Sequence, residues 1–336
     1  MQDLAITAII PLYNGAEFIE EALNSVLGQT LAPAKIIVVD DGSTDDGVKI
    51  VSRIAHDHNI YLIQKQNGGQ SSARNLGIAH SQTPLIALLD QDDVWYPHHL
   101  EHLIKPFREI RYPELGWVYS NLDEIDREGR MVTRSCLDLL PTIQHPKRSL
   151  TGCLATDMFA VPTSTLINRR AFEAIGGFDE RLIGYEDDDL FLRMFRNGYD
   201  NVYLNDALAK WRIFPSSSSH SPRMRQSRMI YLRKLLQTFP PNDRLGQLYW
   251  RSLLAPRFFP MLVNEYYQAS QGDDANAVRA TVDDLKVLLP YLPRRTRLVL
   301  QTVLPMMARR SPARLAANLA ERNFPLIKRL FRVALG

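Results

Sequence analysis

The 336-residue sequence predicts an α/β fold, a mostly parallel sheet with helices on both faces, followed by a C-terminal helical region. Three observations predict it. Short apolar runs alternate with helically spaced segments through the first hundred residues, giving a repeated βαβ pattern. The apolar runs are nearly continuous, as strands buried on both faces are. Beyond the Ser- and Pro-rich stretch "FPSSSSHSP" the chain reads as helix to its end.

The elements follow in order. "AITAIIPLY" is a short apolar strand, "AEFIEEALNSVLGQ" carries helical spacing, and "KIIVVDDG" is strand again. "DGVKIVSRIAHDH" is a helix, "IYLIQK" a strand, "SSARNLGIAHS" a helix and "PLIALLD" a buried strand. "GWVYSNLDEIDREGRMV" reads as two strands around an Arg-Glu-Gly turn, and "AFEAIGGFD" and "DLFLRMFRNGY" as short helices flanking a loop. "FPSSSSHSP" reads as a linker, which sets the expected domains at 1–221 and 222–336; Pro240, Pro241, Pro256, Pro260, Pro290 and Pro293 interrupt the helices of the second.

Composition narrows the function. With 45% hydrophobic and 23% charged residues the chain is an ordinary soluble globular protein. Cys136 and Cys153 are too few for a disulfide framework and lack a metal-ligand spacing, which points to a reducing, cytoplasmic setting. The start "MQDLAITAIIPLYN" is a first strand, not a signal peptide, and no run reaches the roughly 18 apolar residues of a membrane span. The net charge of +3 hides an asymmetry: the last fifty residues hold ten Lys and Arg against the single acid Glu321. The basic tail has no nucleic-acid motif and no interleaved aromatics, so nucleic acid is not the expected partner.

Ligands on parallel sheets bind beyond the carboxyl ends of the strands, where this chain places Asn14 and Gly15, Asp40 to Asp45, Asn67 to Gly69 and Asp90 to Asp93. Asp40 and Asp41 could accept hydrogen bonds from a ligand, or simply shape an Asx-type turn with Ser43 and Asp45 capping the next helix. The glycines of "QNGGQSSARNLGI", with Arg74, could face a phosphate or only make a turn. "LLDQDDV" crowds Asp90, Asp92 and Asp93 at a strand end with no basic residue between them, and like charges so close call for a cation such as Mg²⁺ or Mn²⁺. "GYEDDDLFLRM" puts Glu186, Asp187, Asp188 and Asp189 at a helix start; the dipole accounts for one or two, leaving one as a general base. His98, His99 and His102 follow Pro97 on a helix directed away from these loops, where a zinc reading has little support.

"IIPLYNGAEFIEEALNSVLGQT", "IIVVDDGSTDDG", "NGGQSSARNLGI", "ALLDQDDVWYP", "INRRAFEAIGGFDE" and "GYEDDDLFLRMFRNGY", in this order, resemble the family 2 glycosyltransferases of the GT-A fold, a Rossmann-like sheet. The resemblance covers residues 5 to about 220. It implies an inverting transfer from a nucleotide-sugar donor, UDP favoured, to a glycan or lipid-linked acceptor in cell-surface polysaccharide or glycoconjugate synthesis. It implies that Pro11 and Tyr13 line the base, Asp41 accepts its N–H and Asp40 supports that loop. The resemblance also implies that Asp90 approaches the ribose, that Arg74 and Glu186 belong with it to the nucleotide-sugar site, that Asp92 binds the divalent metal, Mn²⁺ or Mg²⁺, and that Asp187, beside Glu186, is the base. Many relatives carry an aromatic-Arg-x-His-Pro run where this chain has "WRIFP"; Phe214 replaces the histidine, and His220 is the nearest substitute.

Two rivals stand beside this reading. A phosphatase of the haloacid dehalogenase type would use Asp90 as nucleophile and Asp92 as acid, although that motif normally opens its domain. A sugar-nucleotide-binding protein without activity is the other. The tail segments "RLVLQTVLPMMARR" and "FPLIKRLFRVAL" mix apolar and basic residues, fitting either an anionic membrane surface at the inner face or a basic solvated face of packed helices.

Overall fold

A computed structural model describes residues 4–109, 112–214, 222–242, 248–271 and 275–309. The chain separates into two compact units, one of Met1–Cys153 with Asp157–Tyr231, the other of Leu154–Thr156 with the chain from Leu232.

The first unit begins with the expected alternation: β1 Ile6–Leu12, α1 Ile19–Leu27, β2 Lys35–Asp40, α2 Gly47–Ala55, β3 Ile60–Gln64, α3 Gln70–Ala79 and β4 Leu85–Leu88. Each strand is a run of Ile, Val and Leu, and β1 and β4 are buried throughout. In α1 the buried residues Ile19, Ala22, Leu23 and Val26 form one stripe, Glu20 and Glu21 favour its N-terminus, and Gly28 ends it. Side chains such as Ile10, Leu12 and Leu23 are fully buried, each contributing about 1.5–3 kcal/mol by leaving water.

The chain continues through β5 Val94–Trp95, α4 His99–Leu103, β6 Leu115–Ile125, β7 Met131–Thr133, α5 Leu150–Ala155, β8 Thr165–Asn168, α6 Arg169–Ala174, α7 Glu186–Arg196 and β9 Asp200–Arg212. β6 and β7 are the two strands expected around the Arg-Glu-Gly turn. β5, β8 and the long β9 have no counterpart in the pattern read from sequence; β9, "DNVYLNDALAKWR", mixes polar residues into a strand whose partner β6 is buried. The sheet runs β3-β2-β1-β4-β8-β6-β9-β5, with β7 beside β6. It is parallel from β3 to β4 and for the β6–β9 pair, while β8 runs antiparallel between β4 and β6.

The register aligns the strand ends: Leu12 faces Asp40, and Asp40 faces Gln64. β4 stops pairing with β1 at Ile9–Leu88, so β1 extends further and Pro11 costs no ladder bond on that side. The sequence order reverses at β1, between β2 and β4, which opens the crevice at which ligands bind such sheets.

In the second unit α9 Ala255–Gln271 packs on α10 Ala275–Leu288, which packs on α11 Arg294–Arg309; α8 Pro222–Thr238 precedes them. Pro256 and Pro260 do not interrupt the helix as expected: both lie within α9, which follows directly on a π-helical turn, Tyr249–Leu254. Among the described residues no helix is long and apolar enough to cross a membrane. Residues 215–221 of the Ser- and Pro-rich linker, His220 among them, and "FPLIKRLFRVAL" lie outside the described residues.

Candidate active site

The loops after β1 and β2 are stapled together. Asn14, at φ +48°, accepts from the Thr44 N–H at 2.8 Å and donates its own N–H to Ser43 Oγ at 3.0 Å, while Asp45 Oδ2 accepts the Ala16 N–H at 2.8 Å. Asp45 also accepts the Gly47 N–H that opens α2, but Ser43 is spent on Asn14 and does not cap. Asp40 is buried and accepts the Ser43 N–H at 2.9 Å, the Asx-type turn.

Asp41 is a brace first. Its carboxylate, 2% exposed, accepts Lys65 Nζ at 2.6 Å and the N–H groups of Gly68 at 2.9 Å and Gly69 at 2.7 Å. Of about four acceptor positions on a carboxylate, three are filled by the chain. The glycine N–H groups, expected either to face a phosphate or only to make a turn, point at this aspartate. Gly69 sits at φ +89°, the left-handed region glycine tolerates, and so delivers its N–H while starting α3. Pro11 is buried in β1, and Tyr13, 47% exposed, is the one of the pair with a free ring. Gln91 fixes Tyr13 by accepting its N–H at 2.7 Å and donating to its carbonyl at 3.1 Å.

A cleft of about 250 Å³ lies beside the β4 end, and Arg74, Asp90, Asp92, Glu186 and Asp187 all line it. Pro11, Tyr13, Asp40 and Asp41 do not. Arg74, 1% exposed, donates from Nη1 to Glu186 Oε1 at 2.8 Å and from Nη2 to Asp90 Oδ1, so both terminal nitrogens are held by carboxylates and not open to a phosphate. Burial alone would lower its pKa, but the charges of Asp90 and Glu186 outweigh that and raise it.

The three acids after β4 have separate tasks. Asp93 is buried and accepts Thr163 Oγ1 and the Arg212 N–H; burial, then Asp92 and Asp90, push its carboxyl well up. Asp90 faces Arg74. Asp92 is half-buried, and burial first and Asp90 next push its carboxyl up to about 6, against the pull of Arg212 and Arg74. Among the described residues no three His, Cys, Asp or Glu side chains converge as a metal cage. A Mg²⁺-type ion needs only one or two carboxylates when substrate phosphates complete its shell. Asp92, with Asp90 beside it and too little positive charge to offset both, fits that arrangement.

The acids of α7 also divide. Glu186 is held by Arg74 and Gln70, Asp188 accepts the Met158 N–H, and Asp189 accepts Arg193 Nε at 2.8 Å. Asp187 is half-buried and lines the cleft, its Oδ1 accepting, among the described residues, only the local Asp188 N–H at 2.8 Å. Burial, then Glu186 and Asp188, raise its carboxyl well above the ordinary range. Tyr185 directly before it holds a left-handed φ of +62°.

Among the site residues that escaped the sequence reading are Gln70, Gln91, Thr163 and Arg212. Arg212, 2% exposed, was legible only as part of the "WRIF" run. Phe214, in the place of the histidine, packs against Phe18 with ring centroids 5.6 Å apart. The histidines after Pro97 have local partners: His99 is buried on Trp95 and joined to the Leu208 carbonyl, and His98 meets Thr30 and Glu101.

A sheet that is parallel across its first four strands, with acidic loops at their ends and an acid-headed helix over the cleft, is the GT-A architecture of glycosyltransferases. The chain belongs to glycosyl transferase family 2, whose family model matches residues 7–176, half of its length. An uncharacterized glycosyltransferase of Rickettsia conorii is 32% identical over 191 residues, 57% of this chain and 31% of that protein, so the chain spans about a third of that relative. S. aureus TarS 1-349 in complex with UDP-GlcNAc has a TM-score of 0.64 at 18% identity, covering 90% of this chain and 88% of that one. The mannosyltransferase PcManGT from Pyrobaculum calidifontis, in complex with GDP-Man and Mn²⁺, has 0.57 at 20%, covering 90% and 85%. At these identities the structures show the fold. The phosphatase reading falls with the family match, and Asp90, held by Arg74, is no free nucleophile.

Proposed function

We propose that the chain is an inverting glycosyltransferase that moves a sugar from a nucleotide-sugar donor, UDP-linked by preference, to a hydroxyl of a glycan or lipid-linked acceptor. The observation that carries this reading is Asp187. Three acids at the head of α7 are taken up by partners within the protein, and the fourth faces the cleft with its affinity for a proton raised. A carboxylate with a raised pKa suits a general base. Asp187 takes the proton of the acceptor hydroxyl, the oxygen bonds to the anomeric carbon from the face opposite the diphosphate, and the bond to the diphosphate oxygen breaks. One displacement inverts the centre.

A divalent metal, Mn²⁺ or Mg²⁺, held by Asp92 with Asp90 at its side, would supply charge compensation for the leaving diphosphate. Tyr13 offers its exposed ring to the base, and the last acceptor position of Asp41, on Oδ2, serves a base N–H. The bound nucleotide sugars of the two structural relatives support this donor class. In this reading residues 1–221 are catalytic, with the compact unit running on to Tyr231, and 222–336 form a helical basic region. That region meets an anionic membrane surface from the cytoplasmic side, placing the enzyme in cell-envelope polysaccharide or glycoconjugate synthesis. Incubation with UDP-GlcNAc and with GDP-mannose, Mn²⁺ and a panel of glycan acceptors, followed by NMR of the product, tests it. A product of inverted anomeric configuration is expected; retained configuration, or no nucleotide released from either donor, overturns it.

A further inference from the structure

We propose that Arg74 is a positioning residue for Asp187, tying the acid at the donor side of the cleft, Asp90, to the first turn of α7; this rests on the transferase reading above. Gln70 and Arg74 stand one turn apart on the same face of α3, and both donate to Glu186 Oε1. The other arm of the Arg74 guanidinium donates to Asp90. Arg74 and Glu186 are buried, while the Asp90 side chain is 29% exposed, the most accessible of the three.

The strut is anchored at its far end as well. Asp41 holds the N–H groups of Gly68 and Gly69 at the head of α3, so the helix is fixed where the nucleotide base is expected and again where it grips α7. Glu186 is the residue before Asp187, and Tyr185 before it sits in the left-handed conformation that a bulky side chain seldom adopts. Such a junction persists only where its surroundings hold it. Arg74 and Gln70 hold Glu186 on one side, and Arg228 Nε donates to the Tyr185 hydroxyl at 2.8 Å on the other. Arg74 therefore fixes where Asp187 stands relative to the donor, and it does so without touching the phosphates.

Arg74→Lys separates this role from a phosphate contact, because an ammonium keeps the charge but cannot span two carboxylates as the planar fork does. UDP and GDP affinity with Mn²⁺ would be read by calorimetry, and turnover as nucleotide release from UDP-GlcNAc and GDP-mannose. Misplacing the base without disturbing the donor should lower kcat about a hundredfold while nucleotide Kd stays within about threefold. A Kd that weakens in step with kcat makes Arg74 a donor ligand and overturns the proposal, as does a kcat within about threefold of wild type. If Arg74→Lys does not fold, Glu186→Gln, which leaves Arg74 on Asp90, must show the same split; equal kcat there is equally fatal. A wild type that binds neither nucleotide removes the transferase reading itself, whereas a wild type that binds and turns over without the split in the variants removes only the coupling.

Discussion

The backbone N–H of Arg212 donates to the buried carboxylate of Asp93 at 2.8 Å, and the same arginine donates from Nε to the Asp92 carbonyl at 2.7 Å. The last residue of β9 thus holds the acidic loop after β4 by both main chain and side chain. Its remaining nitrogens reach the carbonyls of Asp126 and Arg127 and the Glu21 carboxylate, and Phe18 lies 4.9 Å from its guanidinium. Asp92 is presented to the cleft because Asp93, its neighbour, is locked inward.

Arg212→Ala should cost about 3 kcal/mol of stability, since it strands buried carbonyls that a charged donor now satisfies. Urea denaturation checks this. A loss under about 1 kcal/mol would mean that water replaces the guanidinium without penalty.

Asp187→Asn and Asp189→Asn should part company. The first removes a carboxylate that burial, Glu186 and Asp188 all disfavour, so its Tm should match or exceed wild type while turnover falls about 10²–10⁴-fold. The second breaks the bond to Arg193 Nε and should cost about 2 kcal/mol with the chemistry intact in the folded fraction. Equal effects of the two substitutions on turnover, in melting curves and initial rates, would deny Asp187 its special role.

Metal affinity should depend on pH in one direction. Asp92 titrates near 6 in the folded chain and near 3.9 unfolded, so the folded state holds the extra proton between those values and its stability without metal falls as pH rises through them. A cation binds the deprotonated form. The Tm increase from Mn²⁺ should therefore be small at pH 5 and reach its plateau above about pH 7. An increase as large at pH 5 as at pH 7.5 would contradict Asp92 as the ligand.

Gly15→Ala should weaken nucleotide binding. A methyl there would collide with the Gln91 side-chain amide, displacing the side chain that fixes Tyr13. A loss of about tenfold in affinity is expected, equivalent to about 1.4 kcal/mol, with little change in Tm. Calorimetry showing unchanged affinity would remove Tyr13 from the base pocket.

What was legible in the sequence was local. The strands of Ile, Val and Leu, the glycine before α3 and the acids at strand ends and at the head of α7 each declare themselves within a dozen residues. What was not legible depends on partners far along the chain. Arg74 reads as a phosphate ligand until Glu186, more than a hundred positions later, takes it. Asp41 reads as an open ligand until Lys65 and the Gly68 and Gly69 N–H groups take three of its acceptor positions, and Arg212 has no local mark because its partners come from α1, the loop after β4 and the end of β6. β9 was missed because its outward positions are polar and lysine- or asparagine-bearing, so no apolar period announces a strand that β6 nonetheless pairs along its length.

A metal-assisted nucleotide-sugar site is read out by melting of the purified chain with UDP, GDP or dTDP, each with Mn²⁺ and again with EDTA, run beside Asp92→Asn. Nucleotide at about a hundred times its Kd adds about 2.7 kcal/mol, a shift of several degrees. That shift is expected for one nucleotide with Mn²⁺, lost in EDTA and in Asp92→Asn. No shift with any nucleotide, or one indifferent to both EDTA and the substitution, would contradict it.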